Sequence, residues 1–420
     1  MVEQQFNKGD PKFCIKLQKT GRLLLPQSYS YTQDFLSASD AFSFVYYDTN
    51  PSNTRGLELQ PVEISIDGRL HMLGRIEKTT RGGEYGAGVF CEGRDYMSDL
   101  VECNIDPRCI VKDGTTLKDA VLYLLAPCGI LEINDQSLRL SSRTGKYFSP
   151  IDEKLSAKQV KDLRPEAGKG VYETVETLLA RYGLMLQPSI DRNTVIVQGP
   201  SYIYGSVGRI YRHAGDPNDN LVISATATRD FSSMPTTCIF TGKQGTAVEK
   251  GGAKGLFRQW NMFSEWVPYV AQELADILTG MVFDGRNPID EPKKVLGSTF
   301  YRLLYFLDHH AKTQEQIERS QLRAVSDRLK DTLRYEVTVR GHTNPVTGLC
   351  WSNDTILEIS DDMCDVHEDL WCYRVTFANS KDSGPTTKLS MIRSKSFMVY
   401  ADPIENVKVF KDPKQNKVIK

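Results

Sequence analysis

The cysteines are the residues in this sequence best suited to metal or redox chemistry. Nine are present, at positions 14, 91, 103, 109, 128, 238, 350, 364 and 372. None forms a C-x-x-C pair, and the closest spacings are Cys103–Cys109 and Cys364–Cys372. Zinc knuckles and thioredoxin-like sites need the tight pair, because two sulfurs must reach one ion or each other. We therefore expect buried, reduced thiols, with an intermolecular disulfide in an oxidising medium left open by the odd count.

Histidines and carboxylates offer two further candidate metal sites. His309 and His310 are adjacent, so on a helix their side chains diverge by about 100° and do not readily share one ion. An acidic run extends from Glu358 to Asp369 and includes Asp361, Asp362, Asp365, His367 and Glu368. It lacks the alternating D-x-[DN]-x-[DN]-G pattern of a calcium loop and is typical of a solvated loop between strands. We expect no metal site.

Motifs of nucleotide binding and nucleophilic catalysis are also absent. The glycine-rich stretches 82–88 and 242–246 miss the spacings of dinucleotide-binding and phosphate-binding loops. Gly205-Ser206-Val207-Gly208 has the wrong offset for a nucleophile elbow. Glycosidase chemistry needs two carboxylates, and nothing in the sequence singles out a pair among the 53 acids. We expect a protein that is not an enzyme and has no catalytic residue, cofactor-binding residue or cofactor.

Length and charge limit the class of protein further. A chain of 420 residues corresponds to about two to four domains. With 52 basic against 53 acidic residues the net charge is −1, which argues against a protein that grips nucleic acid along its length. The first ten residues predict no secretory signal. The longest nearly apolar run, Ala120 to Leu131, has 12 residues, whereas a membrane span needs about 18, so we expect no span.

Strand patterns dominate the first hundred residues. Apolar side chains alternate at Phe13, Ile15 and Leu17, and again at Phe42, Phe44 and Tyr46, which predicts half-buried strands. Val62, Ile64 and Ile66 alternate up to Asp67-Gly68, a dipeptide that tolerates the two positive φ angles of a type I′ turn. A β-hairpin is predicted there.

Helical spacing appears between residues 104 and 200. Thr115-Thr116 cap a predicted helix over Leu117–Leu125, and Val171, Val175, Leu178 and Leu179 form the apolar face of a second. Strands are predicted after each helix, at 129–133, 182–186 and 194–197. Two helix–Gly–strand units suggest a small α/β domain with an internal duplication.

Strands return from residue 201, interrupted by an insertion. Strands are predicted at 221–223 and 238–240, and then at Tyr335, Val337 and Val339 and at Tyr373, Val375 and Phe377. Between them, residues 241–330 are glycine-rich and then helical, with helices expected at about 262–281 and 298–333. The lysine-rich segment 402–420 is predicted to be a surface strand or mobile tail.

Four segments, taken in their order along the chain, resemble the baseplate hub proteins of contractile phage tails. They are 35–44, 61–103, 334–353 and 373–397, and the second contains Gly93-Arg94-Asp95 and Asp99-Leu100-Val101-Glu102-Cys103. Together the matches, which come in patches, cover about half of the chain. The resemblance implies an α+β, mainly β fold with two tail-tube-like β-barrel domains, a small α/β domain between them and a helical insertion. The expected segments are 1–103 and 201–240 with 331–401 for the two barrels, 104–200 for the α/β domain, 241–330 for the insertion and 402–420 for the tail.

The resemblance also implies a function and partners. Three chains, each with two similar barrels, would join a six-fold tail tube above to a three-fold spike below. The implied homotrimer is a structural hub in the virion, assembled in the host bacterial cytoplasm. It would contact other baseplate proteins and the tape-measure protein, and DNA would pass through its channel without specific binding. Three alternatives remain open: a hub of a phage-like bacteriocin or injection machine, a cell-wall-degrading or carbohydrate-binding tail protein, and a β-rich binding protein unrelated to virions.

Overall fold

A computed structural model describes most of the chain in segments and divides it into two compact units. One unit contains Met1–Ala227 and Tyr335–Met391, and the other contains Thr228–Arg334 and Ile392–Lys420. The described residues are 13–48, 55–82, 88–106, 108–134, 139–140, 147–148, 168–180, 184–200, 207–213, 221–230, 232–233, 237–242, 257–261, 303–308, 328, 330–345 and 347–393.

The first unit is mainly β, as predicted. The strands that form its main sheet are β1 (Phe13–Leu17), β2 (Leu23–Leu24), β3 (Ser28–Asp34), β4 (Ala41–Tyr46), β5 (Pro61–Ile66), β6 (Arg69–Arg81), β7 (Val89–Asp95), β13 (Arg209–Arg212), β14 (Val222–Thr228), β18 (Arg334–Arg340), β19 (Thr355–Asp361), β20 (Asp369–Ser380) and β21 (Gly384–Arg393). Within the described residues, the short strands β9 (Arg139–Leu140) and β10 (Tyr147–Phe148) form a separate antiparallel pair.

The main sheet contains strands from both ends of the chain. Its order is β14-β18-β21-β20-β3-β4-β7-β6-β5-β1-β2, and β19 pairs with both β20 and β13. The join is β3 against β20, two antiparallel strands that pair from Arg374 opposite Asp34 to Asn379 opposite Tyr29. In the part of the chain that is described, these thirteen strands form one continuous sheet, and no closed barrel is seen.

Local sequence signals place the strands as expected. Asp67 and Gly68 have φ angles of 51° and 77°, and Ile66 pairs with Arg69 across the two-residue turn, which confirms the hairpin. Alternating apolar residues in β1, β4, β5 and β18 point inward, and Ile15 and Ile64 are fully buried. The apolar face of the sheet therefore follows from this alternation, because successive side chains of a strand point to opposite faces.

The two predicted helices are confirmed, a third precedes them, and the strand expected at 129–133 begins later, at Glu132. Helix α1 (Met97–Glu102) follows β7, α2 (Leu117–Leu125) runs into a short 3-10 helix (Ala126–Cys128), and α3 (Val171–Ala180) follows. They pack with a three-stranded sheet of β8 (Glu132–Asn134), β11 (Met185–Pro188) and β12 (Thr194–Gln198), in which β12 pairs antiparallel with β11 and parallel with β8.

A capping residue fixes the start of α2. The Thr116 hydroxyl accepts the Asp119 N–H at 3.1 Å and donates to the Asp119 carboxylate at 2.7 Å, which satisfies a donor that the first helical turn leaves open. The buried apolar faces of α2 and α3 meet in one core, through residues such as Val121, Leu125, Val175 and Leu179.

The second unit contains a three-stranded sheet with β15 (Thr237–Gly242) at its centre. It pairs antiparallel with β16 (Phe257–Asn261) and parallel with β17 (Leu303–Asp308). The helix expected at 298–333 is therefore wrong over Leu303–Asp308. The helical spacing came from residues 322–333, whereas 303–308 is a short apolar run whose type periodicity alone does not determine. The expected helix at 262–281, the pair His309–His310 and the tail 402–420 lie outside the described residues.

Candidate functional site

The junction between β3 and β20 brings together the most unusual polar side chains that the structure describes. We call this junction the seam and define it as β3, β20 and the loop Phe35–Asp40. Residues more than 300 positions apart face each other here, as in the 3.0 Å hydrogen bond between the hydroxyls of Thr32 and Thr376. The seam therefore joins the two ends of the chain in one sheet.

An ion pair spans the seam at its loop end. The Arg374 guanidinium donates to Oδ2 of Asp34 through Nε at 2.7 Å, and Nη2 lies 2.6 Å from the same oxygen. The Asp34 side chain is 8% exposed, whereas that of Arg374 is 44% exposed. Oδ1 of Asp34 accepts the Leu36 N–H at 3.0 Å, so the carboxylate also shapes the start of the loop.

Two further carboxyl groups are buried beside the loop. Oδ1 of Asp40 accepts the N–H of Asp34 at 2.9 Å. Oδ2 of Asp95 accepts the N–H of Asp40 at 3.0 Å, and Oδ1 of Asp95 accepts the N–H of Met97 at 3.0 Å. These bonds tie the loop after β3 to the junction of β7 and α1.

Burial dominates the acidity of this pair. Burial raises the pKa of Asp95 to about 6. Burial, and then the charge of Asp95, raise the pKa of Asp40 well above its usual value. Two buried carboxyls cannot both ionise cheaply, so the doubly charged form of the pair is disfavoured. The hydrogen bonds that the pair accepts from backbone N–H groups make it a structural connector.

Aromatic packing links the seam to the α/β elements. Phe35 meets Trp371 edge to face at 5.3 Å, and its carbonyl accepts Nε2 of Gln187 in β11 at 2.9 Å. The Trp371 indole N–H donates to Asp354 at 2.9 Å. Gln187 is 5% exposed, so this contact is a buried, satisfied connection between the loop and the smaller sheet.

A buried histidine lies at the other end of the seam. The ring nitrogens of His342 lie 2.7 Å from the Tyr29 hydroxyl and 3.0 Å from the Thr387 hydroxyl, and its ring packs edge to face on Phe377. Burial lowers the pKa of His342 to about 4. The ring is therefore neutral at physiological pH and acts as a hydrogen-bonding member of the core.

The acidic run 358–369 is organised by ion pairs. Both carboxylate oxygens of Asp361 receive the Arg212 guanidinium at 2.9 Å, and the Tyr335 hydroxyl donates to Asp361 at 2.7 Å. Burial opposes ionisation of Asp361, but the bonds from Arg212 and Tyr335 outweigh it and lower the pKa. Exposed pairs join Arg209 to Glu358 and His213 to Asp362. In the described segments, no group of three or more His, Cys, Asp or Glu side chains could hold a metal ion.

The eight cysteines whose side chains are described are free thiols. The expected burial is found at Cys91 and Cys372, while the other six are half-buried. Burial raises the pKa of Cys91 to about 12 and that of Cys372 well above its usual value, so these two thiols are unreactive. The closest pairs in sequence, Cys103–Cys109 and Cys364–Cys372, are not bridged.

Sequence reasoning did not single out the acid pair. Asp40 and Asp95 both lie in segments that carry the family resemblance, Asp40 directly before β4 and Asp95 as the last residue of β7. Nothing in the sequence indicates that the two lie close together. Among the described residues, no helix is long and apolar enough to cross a membrane.

Comparison with known proteins identifies the fold. Models of known families and curated proteins give no match to this sequence. Among solved structures, the tail protein from Neisseria meningitidis MC58 matches with a TM-score of 0.67 at 16% identity, over 93% of this chain and 99% of that protein. The fold is that of a tail protein. The 43 kDa tail protein of prophage MuSo2 from Shewanella oneidensis matches at 0.65 and 15% identity, over 92% and 99%.

The tail-protein fold accounts for nearly the whole chain. Both matches extend over almost their entire length as well, so the β-strands at the two ends and the α/β elements between them belong to one shared fold. At 15–16% identity the matches show a shared fold, and the side chains of the seam are described for this chain alone.

Proposed function

We propose that this protein is the structural baseplate hub of a contractile phage tail. In this role a homotrimer joins the six-fold tail tube above to the three-fold spike below, around a channel that carries the tape-measure protein and later DNA. The observation that carries the proposal is the tail-protein fold with one sheet built from both ends of the chain.

The segments that resemble hub proteins support this assignment by their positions. Residues 35–44 and 61–103 supply the loop of the seam, most of β4 and all of β5 to β7, while 334–353 and 373–397 supply β18, most of β20 and all of β21. Segments far apart in sequence are thus neighbours in one sheet. We propose that 1–103, and 201–240 with 331–401, form the two tube-like barrels in the assembled trimer, with 104–200 as the α/β domain between them.

Exposed apolar side chains provide surfaces for that assembly. Leu23 and Leu25 beside the outer strand β2 are 58% and 46% exposed, and Ile223 in the outer strand β14 is 48% exposed. Outer strands of a sheet offer backbone groups and side chains to a neighbouring chain. We propose that subunits meet along these strands.

The hub assignment also fits the charge and the lack of a recognised catalytic site. A channel for DNA should avoid basic stripes, because each phosphate contact adds salt-dependent affinity that slows passage, and the net charge is −1. The buried acids and His342 are satisfied within the fold, which favours structural over catalytic roles. The same architecture would serve a bacteriocin or injection machine, and the neighbouring genes distinguish that setting.

The test is the mass and symmetry of the purified full-length protein. Light scattering should give three chains of 47.4 kDa, and negative-stain images should show a three-fold ring with a central hole. Leu23→Asp combined with Ile223→Asp should shift the mass towards the monomer. Ile110→Asp is the matched control, because Ile110 is 69% exposed and lies outside the outer strands.

Two outcomes would overturn the hub proposal. A stable monomer at micromolar concentration, with no ring in the images, would favour a binding protein unrelated to virions. Clearing of a peptidoglycan zymogram by the purified protein would favour the cell-wall-degrading alternative.

A further inference from the structure

His342 joins a short hairpin to the seam. The hairpin has two arms, 341–344 and 349–351, in the loop between β18 and β19. The arms pair through the Thr343–Cys350 bridge and through the Trp351 N–H, which donates to the His342 carbonyl at 3.0 Å. The His342 side chain contacts residues of β3, β20 and β21, so it connects this hairpin, called the His342 hairpin, to both strands of the seam.

The hydrogen bonds around the His342 ring determine which nitrogen carries the proton. The Thr387 hydroxyl donates its hydrogen to the Gly341 carbonyl at 2.6 Å, so its oxygen can only accept from the ring. Nδ1 of His342 lies 3.0 Å from that oxygen and must therefore carry the hydrogen of the neutral imidazole. Nε2 is then an acceptor, and the Tyr29 hydroxyl, 2.7 Å away, donates to it.

A proton added at Nε2 is incompatible with this arrangement. The Tyr29 hydroxyl would have to turn from donor to acceptor, although Tyr29 is 7% exposed and its ring stacks on that of Phe13, with the centroids 3.8 Å apart. The new charge would lie on a residue that is 1% exposed and packs against Phe377. Among the described residues no carboxylate hydrogen-bonds to the ring, so no ion pair offsets the cost of burying the charge.

We propose that His342 is an acid-released latch. While its ring is neutral, it holds the His342 hairpin against β3 and β21, and protonation at Nε2 releases the hairpin from these strands. Release also breaks the neighbouring bond from the Gly341 N–H to the Pro385 carbonyl of β21, which measures 2.9 Å. The latch is independent of the proposed hub role, because it rests on contacts within one chain.

The groups that face the ring modify its titration. Burial lowers the pKa of His342, although a backbone hydrogen bond with Gly341 and the charge of Asp67, in the turn between β5 and β6, favour the charged ring. His71 in β6 opposes that charge. It packs edge to face on the same phenylalanine at 5.9 Å, and burial and the charge of Arg69 lower its own pKa. Burial is therefore the dominant effect, and a second histidine adds to it.

The sign and the size of the effect follow from the pKa of His342 in the closed and the released hairpin. A released side chain in water titrates at the ordinary pKa of 6.5, whereas the pKa in the closed hairpin is about 4. The stabilisation by the latch is therefore fully present above the ordinary pKa and is lost as pH falls towards about 4. Between pH 7 and pH 5 the opening equilibrium should shift about 20-fold towards release.

Hydrogen–deuterium exchange of the full-length protein at pH 7 and pH 5, read by mass spectrometry, tests the proposal. After correction for the intrinsic effect of pH on amide exchange, the peptides that contain Gly341 and Trp351 should exchange about 20-fold faster at pH 5. Peptides from α2 should keep the protection that they have at pH 7. Unchanged exchange in the His342 hairpin would overturn the proposal, as would equal acceleration in α2, which would show a general loss of stability.

Two variants assign the effect to one ring. His342→Gln retains an acceptor for the Tyr29 hydroxyl but does not titrate in this range, so its hairpin should exchange equally at pH 7 and pH 5. His213→Gln is the matched control, because the His213 side chain is 48% exposed, and it should keep the acceleration of the wild type. Acceleration that persists in His342→Gln would overturn the proposal. The wild-type comparison of the hairpin with α2 decides the question even if His342→Gln fails to fold.

Discussion

The loop end of the seam and the β13–β19 pair both bury carboxyl groups, but their surroundings act on these groups in opposite ways. At Asp40 and Asp95 the partners are backbone N–H groups, the effect of burial dominates, and the pKa values rise. At Asp361 the partners are a guanidinium and a phenol, and the pKa falls. The type of partner thus determines whether lowering or raising the pH destabilises each region.

The largest expected effect comes from removing the cation at Asp361. Arg212→Ala leaves a carboxylate whose side chain is 1% exposed without its charged partner, and should cost about 4 kcal/mol of unfolding free energy. Urea unfolding at pH 7 measures the loss. Arg209→Ala, which breaks the exposed pair with Glu358, is the control and should cost about 0.5 kcal/mol or less. Equal losses in the two variants would contradict the comparison.

The pH dependence of stability should separate the two regions. The pKa of Asp95 in the folded protein is raised to about 6. Its contribution to the free energy of unfolding is therefore fully present below the unfolded pKa and is lost as pH rises through about 6. Two pKa units correspond to about 3 kcal/mol. The Asp361 contribution has the opposite sign and is lost as pH falls below about 4.

The urea midpoint of unfolding, followed between pH 3 and pH 8, measures the contributions of both Asp95 and Asp361. In Asp40→Asn the decline between pH 5 and pH 8 should flatten, because the variant removes the Asp40 carboxyl, whose pKa is raised by burial and by the charge of Asp95. An unchanged slope in that variant would show that the acid pair is not the titrating unit.

Neutral replacement of Asp40 should depend on the hydrogen bond that survives. Asp40→Asn keeps an oxygen to accept the Asp34 N–H and should change stability by about 1 kcal/mol or less at pH 7.5. Asp40→Ala leaves that buried donor without an acceptor and should cost about 2 kcal/mol. The difference between the two variants, from urea unfolding, isolates the hydrogen bond. An amide variant less stable than the alanine variant would contradict the assignment of this difference to the hydrogen bond.

A half-exposed ion pair should give a small effect. Arg374→Ala removes the cation from Asp34, but 44% of the Arg374 side chain is exposed, so water can replace part of the interaction. We expect a loss of about 1 kcal/mol, between those of Arg209→Ala and Arg212→Ala. A loss as large as that of Arg212→Ala would mean that burial of the carboxylate alone sets the cost.

Local signals in the sequence predicted what depends on neighbours along the chain. The Asp67-Gly68 turn, the Thr116 cap and the apolar face of α3 each act within a few residues, and all three are confirmed. The strand Leu303–Asp308 was mistaken for helix, because its apolar run is equally suited to a buried strand and its partner β15 lies more than 60 residues earlier.

Contacts between distant residues were beyond the reach of sequence patterns. The bond from Arg374 to Asp34 joins positions 340 apart, and no periodicity connects them.

The pairing of β3 with β20 has a consequence for biosynthesis. A ribosome adds about 5–20 residues per second, so roughly half a minute passes between emergence of Asp34 and its partner strand. Throughout that interval β3 lacks the neighbour that covers one of its sides, and such bare strand edges readily recruit other nascent chains. Expression of any version that stops short of residue 369 should therefore yield insoluble material, and slower translation should make the intact chain more dependent on chaperones.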